Sequence, residues 1–161
     1  MPRLALVVIA RNEARCIARC LESARPHVDA MIVLDTGSTD DTVAIAEACG
    51  ATVHSFTWCD DFAAARNAAL DHSDADWNLI LDADEWLEGD AGALGAQTLP
   101  PAPAPARFVG CARIVSHNGP DQSTARKFIP RILPRGVRYE GRIHEQPVSP
   151  LPMTVLPLAL R

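Results

Sequence analysis

Leu4-Ala-Leu-Val-Val-Ile-Ala10 is apolar at every position, with no alternate polar sites to face water. A strand of that kind is buried on both faces, as happens in parallel sheets covered by helices above and below. The run ends in Arg11-Asn-Glu13, where Asn12 is expected to cap a helix. Ile17, Cys20, Leu21 and Ala24 then repeat at helical spacing up to Pro26. The alternation recurs. Residues 30–34 read as a second buried strand, and Ser38 or Thr39 as the cap of a helix through Val43, Ile45, Ala46 and Cys49. Gly50 closes that helix. Residues 52–56 read as a third strand, Asp60 and Asp61 as the opening of a helix over 62–71, and 77–81 as a fourth strand. Strands alternating with helices specify an α/β domain with a mostly parallel sheet flanked by helices.

A chain of 161 residues has room for one domain. Within it, 1–97 carries the strand–helix alternation. Residues 98–106 form a stiff connector, because the prolines at 100, 101, 103 and 105 exclude helix and central strand. Residues 107–161 read as a smaller mixed or antiparallel part, with β-like runs at 107–115, 127–133, 137–148 and 153–160 and a turn at 117–120. The net charge of −5 and the lack of a Lys/Arg-rich run exclude a nucleic-acid surface. Acids crowd residues 35–90, where Arg66 is the sole Lys or Arg, while bases dominate 107–145. The first suits a bound cation and the second suits phosphate. Five scattered cysteines without a C-x-x-C pair read as buried thiols of a reducing compartment. The apolar start is too short for a membrane span and runs into Arg11-Asn-Glu13 without a small-residue cleavage site. A cytoplasmic protein is expected.

Ligands of open parallel sheets sit at the carboxyl ends of the strands. Asn12 and Glu13 follow the first strand, Asp35 the second, and Asp82 and Asp84 the fourth, so these polar groups should converge. In an extended backbone alternate residues face the same way, so Asp82 and Asp84 are expected to aim at one spot. A divalent ion shared with a substrate phosphate would relieve their repulsion. Arg66, an arginine among alanines, pairs with Asp82 or Asp84, or else orients the acidic cluster or contacts phosphate. Two other motifs do not fit this order. Leu34-Asp-Thr-Gly-Ser38 has the letters of an aspartic-protease signature, but those enzymes are all-β. No G-x-G-x-x-G follows the first strand, as a dinucleotide-binding domain needs.

With these residues laid out, the chain resembles the family 2 glycosyltransferases of the GT-A fold. The resemblance rests on Ile9-Ala-Arg-Asn-Glu13, Val33-Leu-Asp-Thr-Gly-Ser-Thr-Asp40, Phe62-Ala-Ala-Ala-Arg-Asn67 and Leu81-Asp-Ala-Asp-Glu85, in that order. Tyr139-Glu-Gly-Arg-Ile-His-Glu-Gln146 is similar to a segment of one branch, which includes glucosyltransferases of lipopolysaccharide cores and of peptide modification. The resemblance implies inverting, metal-dependent transfer of a sugar from a nucleotide sugar, usually a UDP-sugar. The acceptor would be a glycan, lipid-linked saccharide or peptide, with peripheral membrane association compatible. It implies nucleotide binding by Ala10, Arg11, Asn12, Glu13, Asp35, Ser38, Arg66, Asp82 and Ala83. In particular, Asp35 would contact the uridine, Asp82 the ribose or metal, and Asp84 an Mn2+ or Mg2+ ion on the diphosphate. The Glu-Asp pair that supplies the base in other members is absent. Glu145 and His144 are the substitutes for it, with His144 alternatively a metal ligand, Arg142 steadying the diphosphate or the carboxylate, and Glu85 or Asp90 as further bases. Members also continue into helices that cover the acceptor, so a shortened second part is expected. Competing readings are a nucleotide-sugar-binding remnant without turnover and a sugar-phosphate nucleotidyltransferase.

Overall fold

The computed structural model describes residues 2–89, 94, 99, 108–115 and 127–161. The connector expected at 98–106, the turn at 117–120 and Asp90 lie outside the described residues, Leu99 apart. The elements run β1 (Leu4–Ala10), α1 (Ile17–Ala24), β2 (Ala30–Asp35), α2 (Thr42–Ala48), β3 (Thr52–Ser55), α3 (Phe62–Asp71) and β4 (Trp77–Asp82). They continue with β5 (Leu87–Glu88), β6 (Val109–Ile114), β7 (Lys127–Pro134), β8 (Arg138–Glu140), β9 (Gln146–Val148) and β10 (Met153–Leu160). Among the described residues, eight strands form one sheet in the order β3-β2-β1-β4-β7-β6-β10-β5. β3, β2, β1 and β4 are mutually parallel, and β7 runs antiparallel to both β4 and β6. β8 and β9 pair as a separate antiparallel ribbon. Among the described residues the second half of the chain thus extends the first sheet, with the ribbon standing apart from it.

The apolar run of β1 divides between two cores. Leu4, Leu6, Val8 and Ala10 pack with Ile17, Cys20, Leu21 and Ala24 of α1 and with Ala46 of α2. Ala5 and Val7 pack on the other face with Ala63, Ala65, Ala69 and Leu70 of α3. The same parity governs β4. Leu79 and Leu81 join the α1 side and Ile80 the α3 side, so Asp82, two residues on, emerges on the face covered by α3. This places the fourth strand's terminal carboxylate beside Arg66 of α3.

Two expected caps are corrected. Asn12 is not the N-cap of α1, which begins after Cys16. Asn12 takes a positive φ of 56° and ties two loops together, its N–H donating to Ser38 Oγ at 2.9 Å and its Oδ1 accepting from Thr39 N at 2.8 Å. Ser38 and Thr39 likewise do not cap α2, whose N-cap position is Asp41. Asp61 does cap α3, accepting from Ala64 N at 2.9 Å. Among the described residues no helix is long and apolar enough to cross a membrane.

Candidate active site

Because β1 lies between β2 and β4, the chain leaves β1 in one direction for β2 and β3 and returns on its other side as β4. At such a switch point the connections diverge and leave a crevice at the strands' carboxyl ends. A cleft of about 600 Å³ opens there, within the size range of small-molecule sites. The residues after β1 contribute Ala10, Arg11 and Glu13, the end of β2 Thr36, and the end of β4 Asp82, Ala83 and Asp84. Trp58, Phe62 and Arg66 line it as well, together with Ile143, His144 and Glu145 of the loop between β8 and β9.

That loop is stapled to the entrance of α3. Phe62 N donates to the Arg142 carbonyl at 3.0 Å, and Arg142 Nε donates to the Asp60 carbonyl at 3.3 Å. Arg142 is therefore engaged with the neighbouring loop and is not among the residues lining the cleft. Asn67 anchors the ribbon from beneath, donating to the Tyr139 carbonyl at 3.0 Å and accepting from Tyr139 N at 2.8 Å. The Phe62-Ala-Ala-Ala-Arg-Asn67 segment thus positions the loop that carries His144 and Glu145.

A chain of ion pairs crosses the floor. Arg66 Nη2 pairs with Asp82 Oδ1, and Arg66 Nε donates to Glu145 Oε1 at 3.2 Å. Arg131 Nη2 meets Asp82 Oδ2 at 3.0 Å and Glu85 Oε1 at 2.7 Å. The Arg66 side chain is only 7% exposed, and its Nη1 is buried without a partner among the described residues. Burial works against the Arg66 charge, but Asp82 foremost outweighs it and keeps the pKa above the ordinary arginine value. Burial also opposes the charge on Asp82, where Arg66 and Arg131 prevail and hold the carboxyl below its ordinary value. For Glu85 burial wins, raising its carboxyl against the pull of Arg131.

The two aspartates do not aim at one spot. The strand ends at Asp82, and residues 82–85 turn, Glu85 N donating to the Asp82 carbonyl at 2.9 Å. Ala83 is buried, Asp82 engages the arginines, and Asp84 is exposed at the rim. Asp84 and the His144 ring have no hydrogen-bond or ion-pair partner among the described residues. His144 holds a left-handed φ of 58° that turns the chain at the cleft wall. No group of three or more His, Cys, Asp or Glu comes together as a ready metal site among the described residues. Asp84 and His144, both facing the cleft, can nonetheless supply one oxygen and one nitrogen donor.

The remaining sequence candidates are structural in their visible contacts. Asp35 is 7% exposed and accepts from Gly37 N at 3.1 Å and Ser38 N at 3.1 Å, shaping the loop behind Thr36. Asp35, Asn12 and Ser38 do not line the cleft, whereas Ala10, Arg11, Glu13, Arg66, Asp82, Ala83, Asp84, His144 and Glu145 do. Glu13 accepts from Cys16 Sγ at 3.0 Å, and burial followed by that contact pushes the thiol up to about 11. Both oxygens of Glu85 are occupied, Oε1 by Arg131 and Oε2 by Asp82 N at 2.9 Å, so Glu85 is not poised as a base. Arg131 is the residue that the sequence reading missed. Its signal was a charge inside the apolar run Phe128–Leu133, which the burial of both neighbouring strands makes costly.

The family model for glycosyl transferase family 2 matches residues 5–142. The SPbeta prophage-derived glycosyltransferase SunS of Bacillus subtilis is 28% identical over 159 residues, covering 92% of this chain and 35% of SunS. A TPR repeat-containing protein of Synechococcus elongatus is 51% identical over 87 residues, covering 54% of this chain and 22% of that protein. The chain thus spans 22% to 35% of the length of these two curated relatives. Among solved structures, glucosyl-3-phosphoglycerate synthase from Mycobacterium tuberculosis matches with a TM-score of 0.55 at 25% identity, covering 73% of this chain and 45% of the synthase. That structure is a complex with Mn2+, uridine-diphosphate and glucosyl-3-phosphoglycerate. S. aureus TarS matches in fold with a TM-score of 0.61 at 16% identity, covering 86% of this chain and 30% of TarS.

Proposed function

The chain belongs to glycosyl transferase family 2 and has the GT-A fold, and on that premise we propose that it transfers a sugar from a UDP-sugar to an acceptor nucleophile with inversion. The observation that carries this reading is Arg66. It is a buried guanidinium at the switch-point cleft, paired to two carboxylates through Nη2 and Nε, with Nη1 unpartnered among the described residues. An unused buried N–H costs stability unless a ligand oxygen meets it, and a diphosphate oxygen is the acceptor that matches its charge.

The departing diphosphate gains negative charge as the bond from sugar C1 to oxygen breaks. Arg66 from α3 and the exposed Arg11 after β1 stabilise that charge. Asp84 and His144 would hold Mn2+ or Mg2+, with Asp82 adjoining, and the ion would supply Lewis-acid stabilisation of the leaving group. Asp82, fixed by two arginines, offers its remaining lone pairs to the ribose or to the metal shell. Asp35 keeps the Gly37–Ser38 loop in place, and that loop borders the nucleoside end. Glu145 lines the cleft beside Arg66, which orients one of its oxygens, while the other makes no hydrogen bond among the described residues. That free oxygen takes the acceptor's proton as the nucleophile attacks C1 from the face opposite the diphosphate. The acceptor is a glycan, a lipid-linked saccharide or a peptide.

The metal assignment is tested by titrating UDP in calorimetry with and without Mn2+. The metal is expected to tighten UDP by about tenfold or more, and Asp84→Asn to remove that gain while leaving metal-free UDP affinity unchanged. Equal UDP affinity with and without Mn2+ in the parent would refute the metal dependence.

A further inference from the structure

The two arginines that hold Asp82 are not equivalent. Arg66 comes from a helix and lines the cleft, so it can meet ligand itself. Arg131 comes from β7, is 10% exposed at its side chain, and is not among the residues lining the cleft. Its contacts are with Asp82 and Glu85, and Glu85 in turn accepts from the backbone N–H of Asp82. Asp82 is therefore gripped at its carboxylate and at its main chain by one connected pair.

The local sequence is arranged to aim Arg131 there. β7 pairs with β6 as Gly110 opposite Ile132 and then Cys111 opposite Pro130, so Arg131 is the extra residue at a shift in register. Such bulges re-aim a side chain and increase the local twist. Pro130 supplies no N–H to the ladder, which suits a place where the ladder is interrupted. Gly110 admits the closer approach, since a Cβ there would lie 2.7 Å from Ile132 Cβ and 2.8 Å from Leu156 Cδ1. The cost of this arrangement is visible, because Arg131 Nε is buried without a partner among the described residues. A packed apolar residue would serve stability as well or better than a buried charge with an unused donor. What an apolar residue cannot do is hold a carboxylate at a fixed point.

We propose that Arg131, braced by Glu85, is a positioning residue that fixes the Asp82 carboxylate for the donor nucleotide. The proposal rests on the reading of the cleft as a UDP-sugar site. Arg131 touches no ligand and acts through Asp82, so its removal lets the carboxylate swing on the turn that follows β4. A double-mutant cycle separates this from a general loosening of the sheet. UDP affinity in the presence of Mn2+ would be measured by calorimetry, below every melting temperature, for the parent, Arg131→Met, Asp82→Asn and the combined variant. Arg131→Met is expected to weaken UDP by about tenfold or more alone, yet by no more than about twofold in the Asp82→Asn background. Equal losses in both backgrounds overturn the proposal, as does unchanged affinity in Arg131→Met alone. Should Arg131→Met not fold, Arg131→Gln carries the same test, because glutamine keeps a polar amide but not the charged Nη2 that meets both carboxylates. The same asymmetric loss is then expected, and a symmetric one refutes the idea. A parent that binds no UDP refutes the reading of the cleft itself, a result seen without any variant.

Discussion

Arg66→Ala is expected to destabilise the fold and abolish nucleotide binding together. Removing the guanidinium leaves Glu145, 15% exposed at its side chain, without its counter-ion, and leaves Asp82 with Arg131 alone. Breaking a buried ion pair by deleting one partner costs about 3–5 kcal/mol. The lower end applies here, because the Asp82 side chain stays 40% exposed and water can solvate part of its charge. For a domain of this size such a loss lowers the melting temperature by roughly 6–12 °C. Arg66→Met, which keeps an unbranched side chain against the Tyr139 ring, 5.8 Å from the guanidinium carbon in the parent, separates the two effects. It should recover part of the stability and none of the UDP affinity. Thermal melts and UDP titrations on both variants check this, and full UDP affinity in Arg66→Met would remove Arg66 from the binding site.

Glu145→Gln is expected to leave UDP and UDP-sugar affinity within about twofold of the parent and to lower the rate of transfer by about 10²–10⁴-fold. The amide fills the same space and can still accept from Arg66 Nε through its carbonyl oxygen. It cannot take a proton from the acceptor. His144→Ala should behave in the opposite way, weakening the Mn2+-dependent part of UDP binding. A transfer rate in Glu145→Gln equal to that of the parent would assign the base to another group.

The half of the fold that holds the switch point was legible because its central strands β1, β2 and β4 are buried on both faces. Leu4–Ala10 announces that state by composition, and the observed β2, β3 and β4 lie within one residue of the expected runs. The later strands were equally visible as β-like segments. That β7 and β6 continue the first sheet was not, because pairing between β4 and β7 is set by contacts some fifty residues apart. Short-range chemistry misled at Asn12, Ser38 and Thr39. These residues have the hydrogen-bonding habits of helix caps but here satisfy one another across two loops. At Asp82 and Asp84 the strand periodicity does not apply, because β4 ends at Asp82 and the chain turns before Asp84. Arg131 belongs to a different class. Its partners Asp82 and Glu85 lie more than forty positions away, and only the bulge against Gly110 and Cys111 explains its aim.

The most direct test is release of UDP. The chain would be incubated with UDP-glucose and other UDP-sugars in the presence of Mn2+ and a mixture of glycan, lipid-linked saccharide and peptide acceptors. UDP and glycosylated product would be followed together. Metal-dependent release of UDP matched by sugar on an acceptor, with both lost in Glu145→Gln, is the expected result. Binding of UDP-sugars without release of UDP under any of these conditions would contradict transfer and leave a nucleotide-sugar-binding domain without turnover.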